Sequence, residues 1–276
     1  MQLASKFSHH ANALRSDLPL CDDQIRSVAP SIFAMAKHAS RSARYTYIPT
    51  IDILRGLRKE GFMPFMACQS RTRSGARRSH TKHMVRLRPA GQIARDQANE
   101  IILLNSHDGS SSYQMLAGVF RFVCQNGLVC GDILSDIRIA HKGNITDNVI
   151  DGAFQVLNDF ARVTAATESM RAVTLTGPEQ SALARAALAL RYDAGSANAA
   201  AILPAQLLQP RRFEDTADDL WTTLNRTQEN LIAGGLPGRS ANGRRTTTRP
   251  VTAIDHNIKL NRALWILAQE MQKLKN

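Results

Sequence analysis

The sequence predicts an α+β protein: an antiparallel β region with a hairpin and packing helices in the N-terminal half, then a helical C-terminal half. Two patterns predict it. Between Met63 and Cys130 short apolar or alternating runs follow one another at strand length, broken by turn residues. From about residue 146 onward apolar residues recur at helical spacing instead. Strands grouped first and helices grouped after them are the mark of an α+β chain. The regions expected are an N-terminal extension over 1–44, a β region over 45–145 and a helical region over 146–276.

Taken in order, Ile25 to His38 reads as a short helix interrupted near Pro30, and Tyr45 to Ile48 as a short strand. Pro49-Thr50 opens a helix with Ile53, Leu54 and Leu57 on its apolar face, and Gly61 suits its end. Phe65 to Gln69 is a strand, and His83 to Arg88 alternates as a half-buried strand should. Ile101 to Leu104 is a short apolar strand. Tyr113 to Cys124 is a long one, with Phe120, Phe122 and Cys124 on one face, ending at the turn dipeptide Asn126-Gly127. A helix follows near 146–173. Thr176-Gly-Pro-Glu179 has the form of a capping box, opening a helix lined by Leu183, Ala187 and Leu190. Asp193 to Ala200 reads as a loop, and Thr216 to Ala233 as a helix carrying Leu220, Trp221, Leu224 and Leu231. Residues 234–250, rich in Gly, Arg and Thr, read as a loop. Ala253 to Leu274 closes the chain as a helix with Leu260, Leu264, Leu267, Met271 and Leu274 as a core stripe, a partner-helix seam being the alternative.

The chain carries a formal net charge of +12 in 276 residues, with aromatics at only 5%. Such a charge speaks to partners rather than fold, and nucleic acid is the first polyanion to consider. The charge is also clustered. Arg71, Arg73, Arg77, Arg78, Lys82, Arg86 and Arg88 lie between Glu60 and Asp96, a stretch without one acidic residue. Between two strands, they describe a hairpin arm of guanidinium groups, which grip phosphate through two oxygens at once. Arg239, Arg244, Arg245 and Arg249 form a second cluster in the Gly-rich loop, and Arg121 is a charge inside an apolar strand. Arg121 reads either as the partner of a carboxylate such as Asp108 or as a phosphate ligand.

Other chemistry is not indicated. The chain has no phosphate-cradling glycine motif and no dinucleotide fingerprint. His80 and His83 lack a paired ligand set, and Cys124 and Cys130 lack a partner His, so no metal or cofactor is expected. The β region is too poor in Asp and Glu for a metal-dependent nuclease. Ser106-His107-Asp108 reads as a polar turn, because neighbours in sequence seldom meet in triad geometry. Four scattered cysteines suit a reducing cytoplasm, and no run of about 18 apolar residues suggests a membrane span.

Two segments carry a resemblance. Leu104-Asn105-Ser106-His107-Asp108-Gly109-Ser110, followed by Gly118 to Val129, resembles the signature of the domain of unknown function 932 family, proteins of bacterial plasmids and phages. Asn257 to Trp265 is similar to that family's closing helix. The resemblance implies a mobile genetic element and a role in DNA maintenance, recombination or countering host defences, with no catalytic residues to carry over. The hairpins followed by a helix are also similar in architecture to Rad52-like single-strand annealing proteins.

The expectation is therefore a non-enzymatic, cytoplasmic nucleic-acid-binding protein. Its partner is DNA, single-stranded by preference, or RNA, with no membrane. Annealing would imply a homo-oligomer presenting the basic arms along one groove. The alternative is an anti-defence or regulatory protein whose basic arm engages a host protein.

Overall fold

The computed structural model describes residues 12–92, 97–121, 126–130, 137–139, 146–192, 202–240 and 242–275. They form two units. The first takes the chain up to Phe122 and the stretch Gly131–Ala161; the second takes Val123–Cys130 and Arg162–Asn276.

The first unit is an antiparallel sheet with short helices. Its strands are β1 (Asn12–Arg15), β2 (Phe62–Gln69), β3 (His83–Pro89), β4 (Gln97–Asn105) and β5 (Tyr113–Arg121), each beside the next. Helix α1 (Asp22–Val28) and the 3-10 turn Pro30–Phe33 are separated at Ala29, as the proline requires. Helix α2 (Thr50–Lys59) buries Thr50, Ile51, Leu54 and Leu57; Ile53, expected on that face, is only half-buried. Residues 12–44 belong to this unit and do not form a separate extension: β1 pairs with β2, Leu14 opposite Ala67.

Three strand expectations change. Tyr45 to Ile48 has no strand pairing. β3 is buried on both faces, not one, because its polar positions, His83, Arg86 and Arg88, are covered along with its apolar ones. Asn126 and Gly127 do not make a turn; they begin strand β6 (Asn126–Val129) of the second unit. Phe122 and Cys124 lie outside the described residues, as does the loop expected over 193–200. Strand β7 (Ile137–Ile139) pairs with β5, Tyr113 opposite Ile139.

Helix α3 (Thr146–Ala172) runs from the first unit into the second. The second unit adds α4 (Gly177–Arg191), α5 (Pro204–Leu207), α6 (Leu220–Ala233), the strands β8 (Pro237–Arg239) and β9 (Arg245–Thr247), and α7 (Ile254–Lys275). Helix α4 opens on the predicted capping box: the Thr176 backbone N–H and hydroxyl both donate to the Glu179 carboxylate, at 2.7 and 2.9 Å. It buries Leu183, Ala184, Ala187 and Leu188, while Leu190 is exposed. In α7 the core stripe holds for Leu260 and Leu264 and fades after Ala268, leaving Leu274 exposed. Trp221 and Trp265, both fully buried, meet edge to face at 6.4 Å between ring centres. Residues 234–250 are not a plain loop: β8 and β9 pair as a small hairpin, Arg239 opposite Arg245. Gly234 makes this possible. It takes φ +65, and a Cβ there would lie 2.7 Å from the Arg249 backbone.

Candidate nucleic-acid interface

The strand registers bring two connections to one end of the sheet. Gln69 opposes His83 and His83 opposes Asn105, so the β2–β3 loop (70–82) and the β4–β5 turn (106–112) are neighbours. A third segment, 34–49, joins them: the His38 N–H donates to the His107 carbonyl at 2.8 Å, and the His107 N–H to the His80 carbonyl at 2.9 Å. The Tyr45 hydroxyl donates to the Ser106 carbonyl at 2.8 Å, and burial, with the Asp108 carboxylate, pushes its phenol up to about 12. It therefore stays a donor at any ordinary pH.

Below these loops lies a histidine cluster. The His83 ring, fully buried, has Nδ1 at 2.9 Å from the Ser31 hydroxyl and Nε2 at 2.9 Å from that of Thr50. Asn105 in turn donates to Thr50 at 2.9 Å. The His107 ring packs against His83 at 5.2 Å and Tyr47 at 5.0 Å, and His38 meets His80 at 5.2 Å. Burial, reinforced by His107, holds His83 well below the usual histidine range. Its nitrogens are spent on hydroxyls. Among the described residues no group of three or more His, Cys, Asp or Glu is placed to hold a metal ion. Asp108 accepts from the Ser110 N–H at 3.0 Å, the bond of a polar turn.

The basic residues divide sharply. Arg71, Arg73, Arg77 and Arg78 are exposed and Lys82 is half-buried, all in the β2–β3 loop. That loop is not an extended arm. It folds through a 3-10 turn at Gly75–Arg77 and is tied at its base, Ser70 N–H to Lys82 carbonyl at 2.8 Å and Gln69 side chain to Arg78 carbonyl at 2.6 Å. Arg86 and Arg88 are instead interior. Both bond to Glu100, at 2.5 and 2.9 Å, and Arg88 lies over the Phe120 ring at 3.4 Å and Phe65 at 4.6 Å. They belong to the sheet rather than to the exposed loop. Half-buried Arg15 joins this group, drawn down to about 10 by lost hydration and by Arg86.

Arg121 is buried at the opposite end of β5, opposite Gln97. Eight residues of strand, about 26 Å, separate it from Tyr113 beside the turn, so the expected pairing with Asp108 is not made. The second cluster, Arg239, Arg244, Arg245 and Arg249, is exposed on the β8–β9 hairpin and belongs to the other unit.

Sequence reasoning missed two features. The first is Lys37, Arg41 and Arg44 in segment 34–49, which join the exposed cations of the β2–β3 loop; the signal was there, since no acidic residue lies between Asp23 and Asp52. Arg41, Ser42, Arg44, Tyr45, Gly109, Ser111 and Ser112 line an open hollow of about 410 Å³. The second is α6, buried from Leu220 to Ile232, polar residues included. Glu229 receives both terminal nitrogens of Arg212, Asn230 accepts from Arg211 at 2.7 Å, and Gln228 donates to Asn261 at 2.7 Å. These groups bond to one another inside the helical unit, and only a folded chain reveals that.

Two proteins of Escherichia coli (strain K12), UPF0380 protein YfjQ and UPF0380 protein YafZ, are each 53% identical to this chain over 270 residues, covering 98% of it and 97% of the relative. No solved structure matches, so the architectural likeness to Rad52-like annealing proteins gains no support there. Among the described residues no helix is long and apolar enough to cross a membrane. The signature around Ser106-His107-Asp108-Gly109, which here forms the turn at the basic end of the sheet, falls within a family match spanning residues 37–265, and the chain belongs to the family of the domain of unknown function DUF932.

Proposed function

We propose that the protein binds nucleic acid, as a component of a mobile genetic element acting in the cytoplasm, and that the loop-bearing end of the sheet is the contact surface. One observation carries this reading. Lys37, Arg41, Arg44, Arg71, Arg73, Arg77, Arg78 and Lys82 stand in two segments clamped to a third, whose Asp108 is the one carboxylate of the three, more than half of the chain's net charge of +12. Like charges so gathered repel one another, a cost that a polyanion offsets. Single strands are the favoured form, because loops carry the charge and no helix or ribbon of this surface is set to enter a duplex groove. Binding is electrostatic and largely independent of sequence. Cys21, Cys68 and Cys130 are free thiols, which suits a reducing compartment.

The test is binding of labelled single-stranded and duplex DNA across a salt series, with the mass of the protein in solution recorded alongside. Salt-sensitive binding that favours single strands is expected. The double variant Arg77→Gln/Arg78→Gln should weaken it and flatten the log–log salt slope by about one to two. No binding at low salt, or an unchanged slope in that variant, overturns the reading.

A further inference from the structure

The hollow beside the basic loops differs from the rest of that surface. Ligand pockets span roughly 300–1,000 Å³, and this one measures about 410 Å³. It is roomier than a bare phosphate needs and suits a single nucleotide unit. Its walls are built, not incidental. Gly109 takes φ +76, and a Cβ there would lie 2.6 Å from Nη1 of Arg41. The guanidinium thus rests against backbone that no side chain may share. Neither Arg41 nor Arg44 has a carboxylate partner among the described residues; the Arg41 Nε–H goes to the Ser40 hydroxyl at 3.3 Å. The floor is fixed by reciprocal bonds between Ser106 and Ser111, at 2.9 and 3.1 Å, and by the Tyr45 bond to Ser106.

We infer that this hollow is a phosphate subsite seating one nucleotide, with the Arg41 and Arg44 guanidinium groups on the phosphate and the Ser112 hydroxyl at its rim. A planar guanidinium with no carboxylate to satisfy presents paired donors in the geometry a phosphate accepts. The Gly109 backbone lets Arg41 lie low enough to form a wall instead of reaching into solvent. For a strand as ligand, the inference rests on the nucleic-acid reading above. The chemistry recognised is a nucleotide phosphate, whether the monoester of a mononucleotide or the diester within a strand.

The experiment compares dTMP with thymidine, by ligand-observed NMR on the full chain. Both are also used as competitors of a labelled oligothymidylate without terminal phosphates. The same measurements are made on Arg41→Gln/Arg44→Gln and on Arg71→Gln/Arg73→Gln. Arg44, Arg71 and Arg73 are exposed and Arg41 is half-buried, and an unchanged thermal midpoint confirms folding. The expected result is that dTMP binds and thymidine does not. Arg41→Gln/Arg44→Gln should lose dTMP, weaken the oligonucleotide about tenfold and lower its salt slope by about one. Arg71→Gln/Arg73→Gln should weaken the oligonucleotide and keep dTMP. If dTMP binds no better than thymidine, or survives loss of Arg41 and Arg44, the subsite is overturned. Strand binding without dTMP binding sinks the subsite and spares the nucleic-acid reading. Binding of dTMP through Arg41 and Arg44 with no strand bound upholds the subsite as a mononucleotide site and sinks that reading.

Discussion

Glu100 shows at the scale of one residue how charge and burial trade places in this chain. It is fully buried between Arg86 and Arg88, with both of its oxygens bonded. Removing one member of such a group leaves the others desolvated without compensation, at a cost of about 3–5 kcal/mol. Glu100→Gln should lower stability on that scale in chemical denaturation, whereas Arg71→Gln, on the exposed loop, should stay within about 0.5 kcal/mol. A small effect at Glu100 would mean that the arginines are solvated. His83 gives a pH dependence. It is held neutral, far below the ordinary 6.5, by burial and His107. The unfolded chain therefore binds a proton that the fold refuses. Its contribution is complete above about pH 6.5 and falls as the pH drops below that value. His80, also lowered, acts in the same direction. Stability should decline from about pH 7.5 to 5.5, and His83→Gln, less stable at the upper pH, should decline less steeply.

Elements differ in how openly their sequences declare them. Helix α4 was legible because its start signal is local: four residues contain the whole capping box. The Glu179 carboxylate, receiving the Thr176 N–H and the Lys275 ammonium, is brought down to about 2 from its ordinary 4.5. Its stabilising contribution is thus present above about pH 4.5 and lost as the pH falls toward 2. Acid unfolding followed by circular dichroism should show that component in the wild type and not in Glu179→Gln. Strand β3 and helix α6 were located by pattern, but β3 was misjudged in burial. Alternation in His83 to Arg88 implies one wet face, yet Glu100, Ser31 and Thr50 supply partners for the polar positions. The hairpin over 237–247 was read as a loop because it has no apolar run to betray a strand. Its register depends on close backbone approach at Gly234.

Across the molecule the decisive quantity is where like charges gather. Two basic clusters were visible in the sequence, but they stand in different units. Should the sheet end be the contact surface, Arg244→Gln/Arg245→Gln on the β8–β9 hairpin should change oligonucleotide affinity by less than about twofold, whereas Arg77→Gln/Arg78→Gln reduces it well beyond that. Equal losses would place the hairpin in the interface as well.

By itself the sequence determined the α+β order, the starts of α2, α3, α4 and α7, the excess of positive charge and the acid-free stretches that hold it, because these are properties of neighbours along the chain. Tertiary structure alone decided which arginines face solvent. Arg77 and Arg86 look alike in sequence, but pairing a strand with its neighbours puts one beside Glu100 and leaves the other in water. It also brought Arg41 against Gly109, 68 positions apart. Burial and long-range approach depend on the sheet register, which is set by the packing of all the strands together and not by any segment alone.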